Sequence, residues 1–143
     1  MTAAPEPADS SAALRACYPV IRELRPHLTE EAFVAQAQRQ RERHGYRLVY
    51  LEDEGKVVAA AGYRIAEFLA WGKALYIDDL ATLSTARKRG HAGRLLDWLI
   101  AQARAEGCDQ LHLDSGVQRY DAHRLYLGRR LRITSHHFAI ELG

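Results

Sequence analysis

"STARKRGHAGRLLDWL", residues 84–99, sets Arg87, Lys88, Arg89 and Arg94 around Gly90 and Gly93, directly ahead of an apolar helical pattern. From Gly90 onward Ala92, Leu95, Leu96, Leu99, Ile100 and Ala103 follow i, i+3, i+4 spacing, and Gly107 ends the run. One apolar stripe of this kind predicts a helix lying on a sheet. The flanking stretches "ALYIDDLATL" (74–83) and "QLHLDS" (110–115) read as strands. A strand, a helix and a strand in succession form a βαβ unit, whose right-handed crossover makes the two strands parallel. The quoted stretch is therefore the strand-to-helix turn of that unit.

A helix N-terminus leaves backbone N–H groups without partners and carries partial positive charge, and a glycine lets an anion approach the backbone closely. The turn thus has the makings of a phosphate site, the plain alternative being a solvated basic turn shaped by Gly90. The common nucleotide motifs do not fit. A P-loop requires Lys-Ser/Thr after its last glycine, whereas Gly93 precedes Arg94-Leu95, and no G-x-G-x-x-G is present. A different phosphate-bearing ligand is indicated.

Working outward, residues 11–24 carry Leu14, Cys17, Tyr18, Ile21 and Leu24 at helical spacing, with Pro19 expected to kink or restart the helix. Thr29 is an N-cap for a helix over 29–44, with Glu30 and Glu31 in its first turn and Gly45 as its stop after Arg43 and His44. "YRLVYLED" (46–53) alternates, Gly55 turns the chain, and "KVVAAAGYRI" (56–65) reads as the next strand. Gly72-Lys73 turns it again into the strand before the basic turn, giving an antiparallel meander. Residues 121–130 read as a short helix and "RITSHHFAIEL" (132–142) as a closing strand. The expected class is α/β, in the α+β three-layer sense: a mixed, mostly antiparallel sheet with a parallel strand pair and flanking helices.

A chain of 143 residues can bury one core, so 11–143 is expected as a single domain behind a flexible 1–10. The formal net charge of +2 and the scattered basic residues outside 87–94 argue against a broad nucleic-acid face. The 2 cysteines, Cys17 and Cys108, have no paired spacing, which suits buried thiols in a reducing cytoplasm. "MTAAPEPADSS" lacks a signal-peptide pattern, and no apolar run reaches membrane-spanning length. A soluble, cytoplasmic protein is expected. His112, His123, His136 and His137 have no ligand-like spacing and read as packing or surface residues, with no metal implied.

Arg87-Lys88-Arg89-Gly90-His91-Ala92 resembles the acetyl-CoA signature Arg/Gln-x-x-Gly-x-Gly/Ala of the GNAT superfamily of N-acetyltransferases. The resemblance implies that backbone N–H groups from Lys88 through Gly90, His91, Ala92 and Gly93 to Arg94 hold the CoA pyrophosphate, with Arg87, Lys88 and Arg89 near the cofactor phosphates. It implies that Leu80, Ala81 and Thr82 offer a splayed strand edge to the amides of the pantetheine arm. The family's fourth helix carries Asn-x-x-Ala-x-x-x-Tyr, and "RYDAHRLY" gives Arg119, Ala122 and Tyr126 in that register. Tyr126 is thereby implied as the acid that protonates the departing CoA thiolate. Arg119 replaces the asparagine, and Arg130-Leu131 stand where the family has Gly-Phe. The match is good over 45–142, whereas 1–10 shows no convincing first strand.

A protonated amine cannot attack a thioester, so a base is required; Asp78 and Asp79, on opposite faces of their strand, are the candidates, each otherwise a partner for a neighbouring arginine. The reading is an N-acetyltransferase in which a small-molecule or peptide amine attacks acetyl-CoA directly. A backbone N–H near Ala81-Thr82 would stabilise the oxyanion. No membrane or nucleic-acid partner is expected, and a homodimer is compatible. The competing class is a non-catalytic acyl-CoA-binding regulatory module, with an RNA-associated protein a weaker third.

Overall fold

The computed structural model describes residues 4–143. The chain folds in the order β1 (Glu6–Pro7), α1 (Ser11–Leu24), α2 (Glu30–His44), β2 (Arg47–Asp53), β3 (Lys56–Phe68) and β4 (Gly72–Thr82). A 3₁₀ turn (Ser84–Ala86) then leads to α3 (His91–Ala105), β5 (Gln110–Leu113) and α4 (Tyr120–Gly128). The strands form one sheet in sequence order, antiparallel from β1 to β4, with β4 and β5 as the parallel pair joined through α3. The mixed, mostly antiparallel sheet expected from the sequence is the one found. The chain divides into two compact units, residues 1–112 and 113–143.

In the first unit, Val57–Tyr63 of β3 are all buried, so the usual in-out alternation is absent. Successive side chains point to opposite faces, so a strand buried throughout has both faces covered. The helices α1 and α3 both pack on β3 and β4. Ala59, Ala60 and Ala61, none of them exposed, keep the middle of β3 thin. Leu95, Leu96 and Leu99 of α3, Leu51 of β2, Leu75 of β4 and Val20 of α1 supply the fully buried bulk.

Local capping sets the two N-terminal helices. The Ser10 hydroxyl accepts from the Ala13 N–H at 3.1 Å and the Thr29 hydroxyl from the Ala32 N–H at 3.2 Å. Gly45 closes α2 at φ +69°, the left-handed conformation that a residue without Cβ adopts freely. Helix α1 runs unbroken through Pro19, where the sequence suggested a kink or restart. Pro19 lies on the exposed face, so water can serve the carbonyl that its missing N–H leaves free. Of the stretch 1–10 read as flexible, residues 1–3 lie outside the described residues, while Glu6 and Pro7 pair with Tyr50 and Val49 and Ala8 is buried. Among the described residues no helix is long and apolar enough to cross a membrane.

The second unit holds α4, one residue earlier at its start and two shorter at its end than the 121–130 read from the sequence. The expected closing strand over Arg132–Leu142 is not formed: the segment has no regular structure, and Ile133, Phe138, Ile140 and Leu142 are 78–92% exposed. Two physical reasons account for this correction. A strand exists only when an edge pairs with its N–H and C=O groups, which no sequence pattern supplies. Moreover, the apolar positions change phase between Ile133 and Phe138, so no single face carries them all.

Burial separates the contributions of the two units to stability. Leu99→Ala is expected to cost about 2–5 kcal/mol in urea unfolding, and Leu142→Ala less than about 0.5 kcal/mol.

Candidate functional site

β4 leaves the sheet at Thr82, and the Leu83 N–H donates to the Val58 carbonyl at 2.7 Å. The next N–H, that of Ser84, donates to the Glu23 carboxylate at 2.6 Å, which fixes the start of the turn. Lys88 adopts φ +64° and Gly90 φ +81°, and Gly90 serves as N-cap of α3 without any side-chain cap. The first helical bond runs from the Arg94 N–H to the Gly90 carbonyl at 3.0 Å, leaving the N–H groups of His91, Ala92 and Gly93 directed out of the helix. A Cβ built at Gly90 would meet nothing within 4 Å, so the approach is open. Arg87, Lys88 and Arg89 are exposed around it. His91, in contrast, is 3% exposed, and neither of its ring nitrogens has a hydrogen-bond partner among the described residues.

Upstream, Leu80, Ala81 and Thr82 pair with Ala61, Ala60 and Ala59 of β3. On the other edge of β4, the Asp109 N–H meets the Lys73 carbonyl at 2.7 Å and starts β5 beside the beginning of β4. With 4 residues against 11, β5 is outrun by β4. At about 3.3 Å per residue, the Leu80–Thr82 edge lies beyond the end of β5.

Asp78 and Asp79 sit at a β-bulge. Gly62 faces Asp79 and Tyr63 faces Ile77, so Asp78 is the extra residue. Both carboxylates are engaged by arginines, the structural alternative that the sequence left open. Asp79 accepts from the Arg25 Nε–H at 2.9 Å and from the Tyr46 hydroxyl at 2.8 Å. Asp78 accepts from Arg64 through Nε at 3.0 Å and again through Nη2. Arg25 also donates to the Asp78 carbonyl at 3.1 Å, which braces the bulge from the α1 side. The Arg64 guanidinium lies 5.8 Å from the centre of the Tyr46 ring. Burial, and then the Asp79 charge, raise the Tyr46 phenol well above the ordinary tyrosine value, so it remains a donor.

Arg25, Tyr46 and Arg64 were not singled out in the sequence. A signal was available: Gly62 interrupts the apolar run "VVAAAGY", and glycine inside a strand marks a bulge or a close approach. Here it marks both, because a Cβ at Gly62 would fall 1.9 Å from the Tyr46 hydroxyl oxygen. Beside this cluster, a cavity of about 370 Å³, open to solvent, is lined by Gln36, Arg39, Gln40, Arg43, His44 and Arg64.

Tyr126 belongs to the second unit, on α4, and is buried. Burial raises its phenol above the ordinary value, partly offset by Arg119, which occupies the N-cap position of the same helix. Cys17 is a buried thiol pushed up to about 12, chiefly by burial, and both cysteines are free. The His112 ring stacks on Trp71 at 3.5 Å between centroids.

Residues 11–129 match the family model described as the acetyltransferase (GNAT) family. An uncharacterized N-acetyltransferase of Bacillus subtilis, YhdJ, is 33% identical over 109 residues, covering 76% of this chain and 77% of the relative. Among solved structures, a protein from Bacillus halodurans described as a transcriptional regulator superposes with a TM-score of 0.87 at 18% identity, over 99% of this chain and 100% of that one. The aminoglycoside acetyltransferase AAC(6')-Iy, bound to a CoA bisubstrate analogue, gives a TM-score of 0.84 at 12% identity, covering 100% of this chain and 99% of that one. At these identities the two structures share the fold.

The tight seat of Tyr46 over Gly62 yields a direct expectation. Gly62→Ala forces the buried ring off Asp79 and should cost about 1–3 kcal/mol. Tyr46→Phe should cost a similar amount, about 1–3 kcal/mol, by removing the hydroxyl donor. Because both changes act on one ring, urea unfolding of the double variant should show a loss well short of the sum.

Proposed function

Because the chain belongs to the GNAT acetyltransferase family, we propose that it transfers the acetyl group of acetyl-CoA to an amine acceptor by direct attack. The observation that carries this reading is the uncapped first turn of α3 behind Gly90, open to an approaching anion and flanked by three exposed basic residues. The fit to a CoA pyrophosphate has a second support. The CoA-linked analogue bound by AAC(6')-Iy supports the same assignment.

In this mechanism the free N–H groups ahead of the first helical bond, those of His91, Ala92 and Gly93, receive the pyrophosphate, whereas the Arg94 N–H is already given to the Gly90 carbonyl; Arg87, Lys88 and Arg89 add full charges. Leu80, Ala81 and Thr82 pair through their outer backbone edge with the pantetheine amides. An N–H of the Ala81-Thr82 region donates to the thioester carbonyl oxygen, and this donation strengthens as negative charge grows there. Asp78 or Asp79, its rotamer held by Arg64 or Arg25, draws off the proton of the attacking amine through water. The new C–N bond replaces the C–S bond, and Tyr126 gives its phenolic proton to the departing sulfur. No covalent acetyl-enzyme is involved.

The raised Tyr126 phenol keeps this acid protonated at neutral pH. An acid is lost as pH rises through its pKa, so the alkaline limb of the transfer rate should lie above the ordinary tyrosine value of about 10. Tyr126→Phe should retain acetyl-CoA affinity, lower kcat by about 10²–10⁴ and abolish that limb. Single-turnover CoA release, with the acceptor found from an amine panel, is the measurement. A variant as fast as wild type at every pH would leave Tyr126 as a packing residue. Acetyl-CoA binding without thiol release for any amine would point to the non-catalytic module instead.

The turn is tested separately. Gly90→Val puts a β-branched residue at φ +81° and fills the open approach, so calorimetry on the folded variant should show acetyl-CoA affinity severely reduced. Lys88→Ala should give a milder loss that salt screens. Unchanged affinity in Gly90→Val would remove the phosphate assignment.

A further inference from the structure

On α2, Gln36, Arg39, Gln40 and Arg43 recur at i, i+3, i+4 and i+7 and therefore share one face. The cavity of about 370 Å³ lies between that face and Arg64 of β3, and His44 completes its rim. Its volume is that of a small-molecule site. Every titratable side chain lining it is basic. Arg64 is paired with Asp78, and the amides of Gln36 and Gln40 are joined to each other at 2.9 Å. Arg39 and Arg43 have no carboxylate partner among the described residues, whereas Arg41, off this face, is held by Asp9 at 3.4 Å. An α2 face kept for solubility would carry acidic residues among its arginines. Of the three glutamates of α2, Glu30 and Glu31 are bound by Arg15 at the far end of the helix, and Glu42 is not among the residues that line the cavity.

Two uncompensated guanidinium groups facing one cavity concentrate anions there, and their planar donor forks match carboxylate or phosphate oxygens. The cavity also has an address. Its β-side wall is Arg64, whose partner Asp78 stands two residues before Leu80, where the strand edge assigned to the pantetheine arm begins. The cavity thus borders, through the Arg64–Asp78 pair, the stretch of β4 that leads to that edge.

We propose that the acceptor is a small amine that carries an anionic group, a carboxylate or a phosphate, seated by Arg39 and Arg43 with His44 at the rim. The proposal rests on the acetyl-transfer reading above and deepens it. Arg64, already neutralised by Asp78, lines the wall without competing for the anion. A polycationic acceptor would meet the like charges of Arg39 and Arg43 and is disfavoured by the same arrangement.

Matched amines separate this inference from the reading it rests on. O-phosphoethanolamine and β-alanine serve as phosphate and carboxylate probes, against neutral ethanolamine and cationic 1,3-diaminopropane, with CoA thiol release as the readout. The wild type is expected to show kcat/KM at least tenfold higher for one of the anionic amines than for ethanolamine. In Arg39→Gln/Arg43→Gln, which keeps good helix formers on an exposed face, that preference should fall at least tenfold, mainly through KM, with acetyl-CoA affinity retained. A wild type that prefers ethanolamine or 1,3-diaminopropane, or a double variant with the same preference as wild type, would overturn the proposal. Should acetyl-CoA bind but no amine release CoA, the transfer reading fails. Titration of O-phosphoethanolamine by calorimetry then judges the anion site alone: binding that the double variant loses sustains it, and absence of binding overturns it.

Discussion

One carboxylate, that of Asp79, joins four elements of the first unit. It takes a guanidinium N–H from Arg25 just beyond α1 and a hydroxyl from Tyr46 just beyond α2, and it faces Gly62 of β3 from its own place on β4. The pair with Arg25 is worth little as raw stabilisation, because that side chain is 42% exposed and water screens it. Its effect is positional. Asp79 is 16% exposed, and a carboxylate in that position accepts only arrangements that bring it donors. The bulge, the entry of α1 and the close of α2 are thereby fixed together.

The proposed chemistry uses both sides of this arrangement. Beyond the bulge, β4 runs on as a plain strand to Thr82 and hands the chain to the basic turn. At the bulge, the extra residue Asp78 directs Arg64 toward the cavity beside α2. The proposed phosphate turn thus follows directly from the strand that carries the bulge, and the spacing between bulge and turn is set by the backbone of β4. A rigid connection of this kind is what orientation-dependent transfer between two bound molecules requires.

Short-range features were legible in the sequence. The α3 stripe, the Thr29 and Gly45 caps and the turn at Gly90 all follow from neighbours within a few residues, and these elements form where their spacing says. Features that depend on distant partners were not legible. Arg25 and Asp79 are 54 residues apart, and nothing local to either names the other. β1 has 2 residues, too few for any alternation to register. Pro19 illustrates the reverse error: its chemistry opposes a helix interior, yet on an exposed face, where water can replace the missing donor, the conflict is inexpensive. Arg132–Leu142 has the composition of a strand, but composition does not provide an edge to pair with.

That tail also changes how the protein weighs in a thermodynamic measurement. Heat-capacity change and denaturant sensitivity report surface newly exposed on unfolding, and Ile133, Phe138, Ile140 and Leu142 are already hydrated in the folded chain. Unfolding them adds almost nothing to either quantity. To a calorimeter the chain is shorter than its 143 residues, because its last dozen have their water in both states.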